Sequence, residues 1–122
     1  MAEHRFAFMT IDELQRAYRA RELSPVEVAE AALDSIEAAE SHLHAYILVT
    51  RERALAAARE AERALRGGDP PPLCGIPYAI KDMFDIAGLP TTCASSVLKG
   101  HYVAKETADV VKRLDAAGAV LV

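Results

Sequence analysis

Two stretches decide the fold: Gly75-Ile76-Pro77-Tyr78-Ala79-Ile80-Lys81-Asp82, and Thr107-Ala108-Asp109-Val110-Val111-Lys112-Arg113-Leu114-Asp115-Ala116-Ala117-Gly118-Ala119-Val120-Leu121-Val122. The first is a compact apolar run over 76–80 that ends on a charge, the pattern of a short buried strand over 76–81. In the second, Val110, Val111, Leu114 and Ala117 recur at helical spacing. Gly118 supplies a stop, and 119–122 begin another apolar strand. The order strand, crossover, helix, strand predicts a parallel pair with a right-handed connection. Parallel sheets are covered on both faces and need several strands. Two strands, the second only just begun, predict a truncated start of a larger α/β body.

Working outward, residues 82–106 form a long segment with Gly88, Pro90 and Gly100. Loops of that length in compact domains are usually functional or disordered. Upstream, residues 67–72 break regular structure, because three successive prolines, Pro70, Pro71 and Pro72, suit neither a helix nor a central strand. This breaker divides an amino-terminal helical region, 1–69, from the start of an α/β domain, 70–122. Within the helical region, Thr10 with Glu13 and Ser24 with Glu27 have capping-box spacing, and Pro25 suits a first helical position. Ile11, Leu14 and Tyr18 fall on one face of the first helix. Val26, Ala29, Leu33 and Ile36 make the buried stripe of the second, with Glu27, Glu30, Asp34 and Glu37 facing water. Residues 42–50 read as extended, because Ala45-Tyr46-Ile47-Leu48-Val49 is rich in strand formers. A third helix is expected over 51–66, with Ala54, Ala58, Ala61 and Leu65 inward and Gly67 as its stop.

Composition narrows the class. The 122 residues are 52% apolar and 26% charged, with a net charge of −4, so there is no basic footprint for direct nucleic-acid or anionic-membrane binding. No run approaches the roughly 18 apolar residues of a membrane helix. The start, Met1 to Thr10, lacks the apolar core of a secretory leader. Cys74 and Cys93 match neither a redox pair nor a zinc spacing. A reduced, cytoplasmic setting is the simpler expectation.

The chemistry centres on Lys81. A lysine delivered by an apolar strand is unusual, since desolvation disfavours the ammonium form and so prepares a base. The competing reading is a lysine that snorkels to water or pairs with Asp82. Asp82 and Asp85 have the look of a carboxylate pair, but their spacing fits turn caps or groups that orient Lys81. His42 and His44 form an H-x-H pair without a third ligand, which predicts solvent-facing side chains at a strand start. Cys74 reads as a small buried hydrophobe. Ser95 and Ser96 lack the flanking glycines of a nucleophile turn.

The lysine strand 75–82, the Gly88-Leu89-Pro90-Thr91-Thr92-Cys93-Ala94-Ser95 stretch and the Ala108-to-Val120 helix end resemble the amidase signature family. The helix start Ser24-Pro25-Val26-Glu27-Val28 resembles that family's amino-terminal region. The resemblance implies a serine amidohydrolase that cleaves C–N amide bonds by a Ser–cis-Ser–Lys triad and needs no cofactor and no metal. Lys81 is the one triad member that maps onto this sequence. The family's glycine/serine-rich segment, with both serines and the oxyanion amides, lies further along. A small amide substrate is implied, as is a need for the remainder of the catalytic domain. Partners would be further copies in a homo-oligomer or the other components of an amidotransferase. Lys-Asp-Met-Phe-Asp-Ile-Ala-Gly favours the general amidases. Cys93 within Thr-Thr-Cys-Ala-Ser fits the A subunit of the tRNA-dependent amidotransferase. The alternative from a different class is a non-catalytic helical interaction module with an incidental Lys81. The 122 residues alone are expected to hydrolyse no amide and to be marginally stable.

Overall fold

The computed structural model describes residues 6–122. The leader reading of Met1 to Thr10 falls partly on residues 1–5, which lie outside the described residues. The elements run α1 (Ile11–Ala20), α2 (Pro25–Leu43), α3 (Arg51–Gly67), β1 (Pro77–Tyr78), α4 (Asp109–Ala116) and β2 (Val120–Leu121). Both capping boxes form. Thr10 Oγ1 accepts the Glu13 amide at 3.2 Å while Glu13 Oε2 accepts the Thr10 amide at 2.7 Å. Ser24 and Glu27 repeat the exchange at 3.1 and 2.8 Å. Each box satisfies two backbone donors that a helix start otherwise leaves unpaired.

The strands pair in parallel, with Pro77 opposite Val120 and Tyr78 opposite Leu121. Their residues divide between two cores. Val120 packs with Ala29, Leu33, Ala54 and Ala58 from α2 and α3. Leu121 turns to the other face and packs with Ile86 and Val111. A third cluster joins Leu14, Ala17, Tyr18, Leu23 and Val28 to Ile76, just ahead of β1. Alternation of side chains along a strand explains why neighbours 120 and 121 serve opposite cores. The alanines of α3 reach zero exposure at Ala54 and Ala58, so the helix lies close against α2 and β2.

Two glycines make the crossover fit. Gly75 (φ +76) donates its amide to the Gly118 carbonyl at 2.9 Å. A Cβ on Gly75 would stand 2.8 Å from Pro25 Cγ; one on Gly118 (φ +84) would stand 2.6 Å from Pro71 Cγ and 3.0 Å from Cys74 Cα. Both positions combine a left-handed backbone with no room for a side chain. Tyr18 closes this corner by donating its hydroxyl to the Gly75 carbonyl at 3.0 Å, and burial raises its phenol pKa.

The structure corrects several expectations. Residues 42–50 are not a strand: α2 runs on to Leu43, and His44 caps it in the left-handed region (φ 48). The Glu40 carboxylate then accepts the amides of Ala45 and Tyr46 at 3.1–3.2 Å, which holds the apolar run as a connector. His42 and His44 are exposed, but on a helix end instead of a strand face. The buried stripe of α1 is Leu14, Ala17 and Tyr18; Ile11, one turn earlier, is 50% exposed. Helix α3 includes Gly67, and Gly68 (φ 88) is its cap. Helix α4 starts at Asp109, with Ala108 (φ −58, ψ 144) as its non-helical cap. Thr107 Oγ1 accepts the Ala87 amide at 3.0 Å, and the Ala108 amide donates to the Asp85 carbonyl at 2.8 Å. On α4, Val111 is fully buried whereas Val110 is 42% exposed. The strand expected over 76–81 is only Pro77–Tyr78, since β2 offers partners at two positions alone.

Candidate active-site segment

Lys81 therefore lies three residues beyond β1, at the head of a turn, and is exposed. The dry strand end expected from the sequence is not built by the described residues. The turn itself is well fixed. The Lys81 carbonyl accepts the amides of Met83 at 2.7 Å and Phe84 at 3.2 Å. Asp82 does not pair with Lys81; among the described residues Lys81 makes no ion pair. The Asp82 carboxylate instead reaches across the loop. It accepts the Thr92 amide at 2.8 Å, the Ala94 amide at 3.5 Å and the Thr92 hydroxyl. Partial burial pushes the Asp82 pKa up. The Thr92 hydroxyl, the Thr92 and Ala94 amides and the Lys81 charge outweigh it, so the carboxyl sits below its ordinary value.

The long segment 82–106 is neither helix nor sheet, yet it is closed at its neck. Pro90 and Val103 form an antiparallel bridge, with Gly88 N to Ala104 O at 2.9 Å and Ala104 N to Leu89 O at 3.0 Å. Asp85 accepts the Tyr102 hydroxyl at 2.9 Å, so Asp82 and Asp85 serve separate loop contacts and do not form a pair. That hydrogen bond to Asp85, the largest influence, helps raise the Tyr102 pKa. Ser95 Oγ accepts the Val97 amide at 3.2 Å, a local turn that engages the hydroxyl. Ser96 is exposed. Cys74 is buried, with its thiol directed to the Ala61 carbonyl at 3.4 Å and its pKa raised by burial; Cys93 is exposed, and both are free.

On the other side of the segment, Tyr78 donates to Asp115 at 3.3 Å, and Asp115 also pairs with Arg53 at 2.6 Å. Burial, then the Asp115 charge, pushes the Tyr78 phenol up to about 12, against the opposing charge of Arg53. This links β1, α4 and α3. Two shallow cavities, of about 550 and 730 Å³, open on the helical side, and neither is lined by Lys81. Thr92 is the residue that sequence reasoning missed. Its partner stands ten positions away, a separation that carries no periodic signal.

Fold and site together define an α/β protein with a lysine displayed just past the carboxyl end of a parallel strand, the end at which open α/β sheets hold their sites. The chain belongs to the amidase family, whose model, described as Amidase, matches residues 27–122. The A subunit of glutamyl-tRNA(Gln) amidotransferase from Carboxydothermus hydrogenoformans is 46% identical over 114 residues, covering 93% of this chain and 23% of that protein. Among solved structures, native peptide amidase from Stenotrophomonas maltophilia is 32% identical with a TM-score of 0.88, covering 98% of this chain and 25% of that one. Fatty acid amide hydrolase, 23% identical with a TM-score of 0.85 over 99% of this chain and 22% of its own, shares the fold. The chain thus spans about a quarter of the length of the proteins it matches. No helix among the described residues is long and apolar enough to cross a membrane.

Proposed function

We propose that the full-length protein cleaves C–N amide bonds of a small amide, with Lys81 as the base that accepts a proton relayed from serine hydroxyls. Residues 70–122 then form the start of its catalytic domain. A nucleophilic serine attacks the amide carbonyl, and an acyl-enzyme forms as the amine leaves. Water or a second amine resolves that intermediate. The observation that carries this reading is the position of Lys81, three residues past β1 and inside the region matched by the family. Lys81 exposed in residues 6–122 accords with a site whose other wall is supplied by more of the protein. Desolvation by that wall would favour the neutral amine.

A second reading has its own support: the relatives at 41–46% identity are A subunits of amidotransferases. In that role the same lysine chemistry would release ammonia from glutamine for partner subunits. The two readings share Lys81 and differ in substrate. Assays of the full-length protein with glutamine and with simple amides separate them. In either case Lys81→Ala is expected to lower kcat/KM by about 10²–10⁴-fold, the usual contribution of a positioned acid or base, with the unfolding midpoint unchanged. Retention of most of the rate would instead favour a lysine that merely reaches water.

A further inference from the structure

The main chain around Lys81 is gripped from both sides. Its own carbonyl holds the turn at Met83 and Phe84, and the next carbonyl, that of Asp82, accepts the Cys93 amide at 2.9 Å. The Asp82 carboxylate adds the Thr92 amide, the Thr92 hydroxyl and the Ala94 amide. The partner turn is in a costly conformation: Cys93 (φ 50) and Ala94 (φ 57) are consecutive left-handed residues, and neither is glycine. Such backbone persists only where its surroundings over-determine it, and it gathers at functional sites. Here the surroundings are Asp82. The same turn hydrogen-bonds onward, with Ser95 N to Thr92 O at 2.7 Å and Ala94 N to Thr92 Oγ1 at 3.2 Å.

We propose that Asp82 is a positioning residue, which clamps the 92–94 turn against the lysine segment and so fixes the direction from which the Lys81 amine meets its proton. The proposal rests on the reading of Lys81 as proton acceptor. Asp82 touches no substrate in this role. With four hydrogen bonds to the turn through its carbonyl and carboxylate, it is held too firmly to follow the lysine, so the lysine stem must follow it. Misplacement of a reacting group by about 1 Å is enough to cost roughly 10²-fold in rate.

The test uses the full-length protein and steady-state kinetics on whichever amide it turns over. Asp82→Asn and Thr92→Val are each expected to lower kcat by about 10–100-fold. KM should stay within about twofold, because the effect lies in the chemical step. The double variant should be no worse than the poorer single one, since both break one clamp. Thr92→Ser, which returns the hydroxyl donor, should restore most of kcat. A rise in KM with kcat preserved would assign the loop to substrate binding and overturn the proposal, as would multiplicative losses in the double variant. If Asp82→Asn does not fold, the Thr92→Val and Thr92→Ser pair decides alone. An inactive Lys81→Ala beside a kinetically silent Thr92→Val sinks the clamp only; an active Lys81→Ala sinks the parent reading.

Discussion

On one face of the β1–β2 pair, Val120 meets Leu33, Ala54 and Ala58, all at or below 1% exposure. On the other, Leu121 meets a small cluster of Ile86 and Val111, and the loop beyond it leaves Met83 and Val97 exposed. The helical side is packed by apolar side chains at regular spacing. The loop side is held by hydrogen bonds between distant residues, chiefly Asp82 with Thr92 and Asp85 with Tyr102. Burial fixes the scaffold, and polar contacts aim the residues that would react. Elements placed by few apolar contacts open most easily.

That contrast is open to direct attack. The largest stability effect is expected on the packed face: Leu33→Ala should lower the unfolding free energy by about 2–5 kcal/mol, because the buried site cannot fully collapse. Val97→Ala, on the loop side, should cost less than about 0.5 kcal/mol. Urea unfolding of both variants measures the pair, and equal costs would erase the distinction. Next comes the seam between the faces. Gly118→Ala sets a Cβ 2.6 Å from Pro71 and forces a left-handed alanine. Overpacking and backbone strain together should cost about 2–4 kcal/mol in the same assay.

The smallest effect sharpens the loop side. The folded-state carboxyl of Asp82 lies below its ordinary value of 3.8. A depressed carboxylate pKa contributes stability that is present above the unfolded value and lost as pH falls through the folded one. The amide signals of Thr92 and Ala94 should therefore shift together in NMR spectra as pH falls below about 3.8. Asp82→Asn should remove the transition. A transition retained in that variant would mean another group closes the loop.

How much was legible in the sequence follows the same division. The capping boxes at Thr10 and Ser24, the alanine stripe of α3 and the parallel pair are local or periodic patterns, and they stand as read. The run 45–49 misled because composition cannot show that Glu40 will bind the amides of Ala45 and Tyr46. A strand also needs a partner, and this run has none among the described residues. Strand β1 stopped short of Lys81 for a related reason: pairing depends on β2, more than 40 residues later. Lys81 is located by motif, and of its two readings, a dry strand end or a side chain that reaches water, residues 6–122 build the second. The grip of Asp82 on Thr92 was invisible, since a contact between loop positions leaves no trace in hydropathy.

Lys81→Arg in the full-length protein separates a lysine that gives up and accepts a proton from one that supplies only a charge. Arginine keeps the length and positive charge of the side chain but stays protonated in proteins. Amide turnover by Lys81→Arg is predicted to fall as far as that of Lys81→Ala, in a protein that still folds. An arginine variant that keeps most of the wild-type rate would show that position 81 supplies only a charge, and would contradict the proton-transfer role.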